Sequence, residues 1–509
     1  MNFLSLTILV LAPLVGALII VGPWFPNHEV AIRRFAKGFA GFLFFYSLFF
    51  LLFFNPTQHG YQFIETFNWI KPLGADFSLA LDGLSLILVV LTTFLVLLAC
   101  IASKFNITKK HKLYYSLIFV LTSAILGVFA SKDLFLFFLF WELELIPMYL
   151  LIAIWGTGRK EYSAMKFVLY TFLGSIFMLA SILAVYFYHY SQTGILTFDL
   201  GILAAPKAYI YPMAFQMLAF FGFFIAFAVK LPVVPFHTWL PDAHVDAPTP
   251  ISMLLAGILL KMGGYGLIRM NLQILPEAMK VLAPVLVVLG VINIIYAALI
   301  ALVQEDLKKL VAYSSVSHMG IVLLGLGALN IAGVSGAVFQ MIAHGIISAG
   351  LFMIVGVIYL RTHTRTISEL GGLGYVAPRI FYFSMIIVLA SLGLPLLIGF
   401  AAETLVFYGA FLSNSFANTG FPISIQALTI IAAIGVILTA AYLLWMMQRV
   451  FFGTMFEKWK SVHDITPHEV VILVSLVLVI TVFGLFPRGL TNIFTPTINS
   501  YISNIYVLK

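Results

Sequence analysis

A few ionisable side chains stand inside long apolar runs, where a charge is expensive and therefore a functional candidate. They are Glu142 and Glu144 in FLFWELELIPMYLL, Lys230 in FAVKLPVVPFHTWLPDAH, Lys261 in LLAGILLKMGGYG and Glu403 in LIGFAAETLVF. His318 in AYSSVSHMG and His344 in FQMIAHGIISAG add two groups that can change charge near neutral pH. Carboxylates, amines and imidazoles held in apolar surroundings are the equipment of proton transfer. If Glu142 lies near Lys230, the pair holds a proton on the lysine, and withdrawing or neutralising the glutamate drives that proton onward to Lys261. At an effective dielectric of about 20 and a separation of about 4 Å, the pair is worth about 4 kcal/mol, enough for a switch. On an unbroken helix Glu144 is turned about 200° from Glu142, so the two do not share a face. The histidines have a structural reading of equal weight, as hydrogen bonds between neighbouring helices. Lys166 and Arg269 lie close enough to span ends to reach the headgroups and are left out of the chain.

Other chemistries find no support in the residues. The single cysteine, Cys100, sits in an apolar run and reads as a small hydrophobe. GGYG and GGLGY lack the spacing and flanking strand of a nucleotide loop, and no GxxxxGK[ST] is present. No His pair or Cys cluster suggests a haem or iron–sulfur centre, so the expectation is no cofactor in this chain. The driving force must then be an ion gradient or partner subunits.

Positioning such charges requires helices that cross a membrane. Of the 509 residues, 62% are apolar and 9% charged, against about 25% charged in a soluble domain; a soluble enzyme is excluded. Mean hydropathy is +1.10. Fourteen apolar runs of spanning length lie near 4–22, 34–54, 84–103, 113–130, 133–154, 163–188, 211–229, 249–270, 281–303, 309–329, 331–360, 380–411, 427–451 and 468–487. The first reads as a retained helix rather than a cleaved leader. Of the 27 Lys and Arg, eighteen fall in one set of alternate loops and seven in the other: Lys71, Lys132, Lys207, Arg269, Lys280, Arg488 and Lys509. That bias places the eighteen on the cytoplasmic or equivalent negative side and both termini on the positive side. The polar stretches 55–83 and 190–210 have room for a hairpin or short helix, and no long helix is expected after the last span.

Two spans should be interrupted. Pro232 and Pro235 follow Lys230 and lead into the polar stretch His237, Thr238, Trp239, Pro241, Asp242, while Gly393–Pro395 and Gly399 precede Glu403. Broken helices in membranes line cavities or face protein, and two at matching places in two halves point to inverted repeats. The expected architecture is an all-α polytopic protein with N-terminal helices over 1–112, repeats of five helices over 113–270 and 271–452, discontinuous helices 7 and 12, and a last helix within 453–509. Five helices per repeat, an odd number, forces opposite orientations and hence two half-channels joined at the midplane by Glu142, Lys230, Lys261, His344 or His318, and Glu403. Glu144 and His237 are further candidates.

WELELIPMYLL, FAVKLPVVPFHTWLPDAHVDAPTPISMLLAGILLKMGGYG and KKLVAYSSVSHMG resemble the antiporter-like membrane subunits of respiratory complex I and its photosynthetic relatives, the M-type in particular. The resemblance implies a proton-pumping module driven by quinone reduction elsewhere in the complex. Quinone and iron–sulfur clusters would sit in partner subunits, and L- and N-type chains would be neighbours. It matches Glu142, Lys230, Lys261 and Glu403 to the family's charged positions. At the second break relatives read close to LPGMSGFVGE, whereas this chain reads LPLLIGFAAE, with Leu396 where glycine follows proline. WELELIPMYLL with FFIAFAVKLP looks more like the cyanobacterial or plastid branch, which implies ferredoxin as donor, plastoquinone as acceptor and a thylakoid membrane. Two other readings compete: a subunit of a multisubunit cation/proton antiporter, and a structural scaffold with vestigial charges.

Overall fold

Helices dominate because most of the chain is an uninterrupted supply of Leu, Ile, Val, Phe and Ala, and in a bilayer only intra-segment hydrogen bonding satisfies the backbone. The computed structural model describes residues 5–58, 60–204, 211–417 and 419–507. The first part comprises α1 (Leu6–Val21), α2 (Glu29–Phe53), a hairpin of β1 (Gln62–Ile70) and β2 (Ala75–Leu81), α3 (Gly83–Asn106), α4 (His111–Ala130), α5 (Leu134–Leu143), α6 (Leu145–Trp155), α7 (Lys160–Thr193), α8 (Leu200–Leu203) and α9 (Met213–Lys230). Then follow α10 (Trp239–Asp246), α11 (Thr249–Leu254), α12 (Leu260–Gly266), α13 (Pro276–Leu302), α14 (Leu307–Gly327), α15 (Ile331–Thr362) and α16 (Leu373–Val376). The chain closes with α17 (Pro378–Ser391), α18 (Ile398–Phe411), α19 (Ile425–Phe451), α20 (Pro467–Leu485) and α21 (Arg488–Val507).

Twelve helical segments among the described residues are long and apolar enough to cross a membrane, while α1, α17 and α18 are shorter apolar helices. The most buried are those carrying the candidate charges: Thr249–Leu272 and Ile331–Thr362 each have their most apolar eighteen-residue stretch wholly enclosed by protein. Outer helices such as α19 and α20 leave most of their apolar surface open, as lipid-facing helices do.

The stretch 55–83, with room for a hairpin or a short helix, forms the antiparallel hairpin β1–β2, with Thr66 opposite Ser78. Gly74, at φ +63°, makes its turn, a left-handed conformation that glycine adopts without cost. The hairpin also caps a helix: the Glu65 carboxylate accepts from the Leu6 and Thr7 amides at 2.7 and 2.9 Å, satisfying donors at the start of α1. Asp82 caps α3 in a box with Ser85.

Three expectations need correction. A twenty-residue helix, α21, follows the last span and packs on α3 and α15. Its Thr, Asn and Ser residues dilute the apolar signal, so it reads as a tail in sequence. Arg269 does not reach for headgroups: it is fully buried and pairs with Asp82 at 2.7 Å, while the Tyr501 hydroxyl donates to the same carboxylate at 2.7 Å. Lys308, counted as a loop cation, is buried and donates to the Ala247 carbonyl. Lys207 and Lys509, used for the orientation, lie outside the described residues.

Candidate functional site

The first half of the site is the junction after α9. Lys230 is the last residue of that helix, and Pro232 stops the turn from continuing. The freed backbone groups are taken up by one side chain on α13. Asn293 Oδ1 accepts from the Val234 amide at 2.8 Å, and its Nδ2 donates to the Pro232 carbonyl at 3.1 Å. Trp239 Nε1 donates to the Val229 carbonyl at 2.9 Å and closes the gap from the α10 side. The break is thereby fixed in protein, not left as a flexible joint.

Lys230 is fully buried, and its ammonium lies 5.3 Å from the ring centroids of Trp141 and Phe167. Its ion-pair partner is Glu144 rather than the expected Glu142. The reason is local. Glu144 keeps a right-handed helical backbone at the α5–α6 junction (φ −71°, ψ −22°), so the two carboxylates stay on different sides: Glu144 is fully buried on the Lys230 side and Glu142 is only partly buried. Glu142 stays close, beside Ser175 and within electrostatic reach of Lys230. Glu142 Oε1 and Glu144 Oε2 are buried without a hydrogen-bond partner. Two carboxylates therefore serve one ammonium.

The second half is a ladder. Lys261 sits on α12, a short α-helical stretch flanked by π-helical turns at Leu255–Leu259 and Leu267–Leu272; such turns concentrate at functional positions. Its ammonium lies 2.7 Å from His344 Nδ1 and donates to the Ala256 carbonyl at 2.5 Å. The His344 and His318 rings are 5.6 Å apart. His318 is steadied by the Ser314 and Ser391 carbonyls at 2.8 and 3.2 Å, and its Nε2 faces Glu403 Oε1 at 3.8 Å. Lys261, His344, His318 and Glu403 thus run from α12 through α15 and α14 to α18. Among the described residues no hydrogen bond joins Lys230 directly to Lys261.

Glu403 follows the second break. Gly393 has φ +71°, and a Cβ there would meet Glu403 Oε2 at 2.7 Å, so any side chain would be strained and would displace the Glu403 carboxylate. Leu396 also takes a left-handed conformation, φ +74°. The chain keeps a glycine-like turn with leucine, storing strain of about 1–2 kcal/mol. The side chain escapes a clash by pointing outward, 66% exposed.

His237 stands apart from the ladder, near the rings of Tyr296 and Tyr313 at 5.7 and 6.3 Å. His244, unremarked in HTWLPDAH, is a better-placed residue. It is fully buried, stacks on Phe352 at 4.4 Å and has both ring nitrogens unpartnered. It feels the charges of both Lys308 and Lys261. Lys308 lines a cavity of about 160 Å³ with Thr157, Ala247, Tyr359 and Arg365. The only sequence signal for His244 is its seven-residue spacing from His237 across a proline-broken helix. Among the described residues no group of three or more His, Cys, Asp or Glu is disposed to hold a metal ion.

Broken helices, a buried lysine–carboxylate pair and a lysine–histidine–glutamate ladder define a membrane ion-translocation module. Residues 131–429 match the family NADH:quinone oxidoreductase/Mrp antiporter, TM, and the chain belongs to that family. It is 45% identical, over 99% of its length and 93% of the relative's, to NAD(P)H-quinone oxidoreductase chain 4 2 of Thermosynechococcus vestitus. It is 46% identical to NAD(P)H-quinone oxidoreductase chain 4 1 of a Picosynechococcus species, over 96% of this chain and 90% of that one. It also superposes on a chain of respiratory complex I from Thermus thermophilus with bound NADH, with TM-score 0.87 and 28% identity, covering 98% of this chain and all of that one. A chain of the Mrp complex from a Dietzia species shares the fold, with TM-score 0.85, 20% identity and coverage of 99% and 100%.

Proposed function

We propose that this chain is the proton-translocating M-type subunit of the membrane arm of a complex I-type NAD(P)H or ferredoxin–quinone oxidoreductase. The observation that carries the reading is the row of buried neighbours from Lys261 through His344 and His318 to Glu403, at 2.7 Å, 5.6 Å between ring centroids and 3.8 Å. Quinone reduction takes place in partner subunits, which hold the iron–sulfur clusters and the quinone; this chain moves protons. L- and N-type chains are its proposed neighbours. Near-full-length identity to cyanobacterial chains supports a thylakoid membrane and plastoquinone. The termini are proposed on the positive side.

In this reading the units 113–270 and 271–452 are inverted repeats, and each contributes one half-channel. A proton enters from the cavity beside Lys308, reaches His244 and loads Lys261. While Glu144 holds Lys230, the proton on Lys230 stays. When Glu144 withdraws or is protonated, the Lys230 charge loses its countercharge and repels the Lys261 proton to His344. From there it passes to His318 and Glu403, and leaves on the positive side. Each step moves one proton between named nitrogen or oxygen atoms and needs no redox group in this chain.

The test is His344→Ala in the assembled complex. Quinone reduction and proton pumping fall together, by about tenfold or more, if the ladder is the path. Normal values for both in a complex of normal composition would return His344 to a structural role. Partners decide between this and cation/proton exchange: redox subunits co-purifying with a tagged chain support the pump, and small antiporter subunits alone support exchange.

A further inference from the structure

A large groove lies on the outer side of the second break and takes no part in the ladder. It has a volume of about 730 Å³ and runs between the start of α15, the body of α18 and the junction of α20 with α21. Its walls are mostly apolar, from Ile331 and Leu405 at one side to Leu396 and Phe400 at the other. It is not a route for the Glu403 proton. The wall residues Phe400, Ala401, Thr404 and Leu405 centre on one face of α18, and Glu403 lies about 130° away at 100° per residue. Glu403 instead faces His318.

The mouth of the groove is chemically different from its walls. Arg488, Thr491 and Thr495 line it. They stand at i, i+3 and i+7 of α21 and so share one face. Arg488 is also the first residue of that helix, where the backbone favours an anion. Among the described residues it has no acidic partner. Deeper in, the Ser335 hydroxyl lines the groove, 4% exposed and without a hydrogen-bond partner. Nineteen-residue α20 ends three residues before Arg488, a rise of about 28 Å. That length matches the hydrocarbon core and puts Arg488 at headgroup depth; the Leu396 backbone packs against Gly484, one residue before the end of α20, so the second break lies close to the same level.

We infer that this groove is a binding site for an anionic diacyl membrane lipid. The phosphate or sulfonate headgroup sits on Arg488, Thr491 and Thr495, and an acyl chain lies in the apolar slot along α18. The occupant covers the exposed, strained Leu396 turn from the lipid side and keeps water from crossing there. An apolar slot with a cation and two hydroxyls at one end fits an anionic lipid better than it fits a water path or a neutral chain.

The test uses the intact complex in nanodiscs with phosphatidylglycerol or phosphatidylcholine carrying the same diazirine-labelled acyl chain. Cross-linked peptides are mapped by mass spectrometry. The expected result is labelling at 331–335 and 400–405, about fivefold stronger with the anionic lipid. Arg488→Gln should bring the two lipids level, and Ala401→Trp, which fills the groove, should abolish labelling there by either. Equal labelling by both lipids in the unaltered complex, unmoved by Arg488→Gln, would overturn the site in favour of ordinary annular lipid. Failure of both lipids to label it, with protein cross-links from the groove to a neighbouring subunit, would overturn it in favour of a protein cover.

Discussion

The two broken helices are built in opposite ways. At the first, side chains hold the broken backbone, Asn293 at the Val234 amide and Pro232 carbonyl and Trp239 at the Val229 carbonyl, and the charge is locked against Glu144 in full burial. At the second, among the described residues, one side-chain bond reaches the break, between His318 Nε2 and the Ser391 carbonyl at 3.2 Å. Gly393 and Leu396 bend the backbone through left-handed conformations, and Glu403 faces His318 at 3.8 Å, beyond hydrogen-bond length. The first break is a lock and the second a loosely held release point. A module that moves charge in one direction needs that asymmetry, because a proton must be kept until it is pushed and then let go.

Removing the lock should have the largest effect. Lys230→Ala leaves Glu144 buried without its countercharge, which costs about 3–5 kcal/mol if the carboxylate stays ionised. Quinone reduction and pumping should fall together by about tenfold or more in a complex that still assembles, measured in proteoliposomes. Glu142→Gln should lower both, and Glu144→Gln at least as far; a normal Glu144→Gln complex would hand the lock back to Glu142 alone. Asn293→Ala comes next. It strands the Val234 amide and the Pro232 carbonyl and should destabilise the chain by about 1–3 kcal/mol, read as a lower Tm of the complex, without removing any titratable group. The smallest effect belongs to the second break. Leu396→Gly should relieve the left-handed strain and stabilise by about 1 kcal/mol, the reverse of the sign expected for glycine elsewhere in a helix-rich chain. An unchanged or lower Tm would mean that the Leu396 side chain contributes more by packing than its backbone loses.

Much of this was legible in the sequence because isolated charges stand out against apolar runs. Lys230, Lys261 and Glu403, the two histidines and both proline-marked breaks are visible without coordinates, and the motifs around them carry the family resemblance. What was not legible depended on tertiary packing and on departures from regular geometry. Two carboxylates two residues apart lie on different faces, and the sequence does not show which face meets Lys230; the structure gives it Glu144. The π-helical turns around Lys261 leave no trace in composition. Lys308 looked like one of a basic loop pair with Lys309, because only tertiary packing turns it inward to the Ala247 carbonyl. His244 follows directly on the residues read as a polar stretch and drew no notice, although it is fully enclosed in helix α10. Arg269 was misplaced for the converse reason: its partner, Asp82, lies far away in sequence and caps another helix.

The central claim is that Lys261 receives a proton and passes it to His344. It is tested most directly by Lys261→Ala in a purified complex of verified subunit composition, with quinone reduction and proton translocation recorded on the same proteoliposomes. The account predicts that both drop together, by about tenfold or more, with the Tm little changed. Unimpaired translocation at a normal rate of quinone reduction would contradict it.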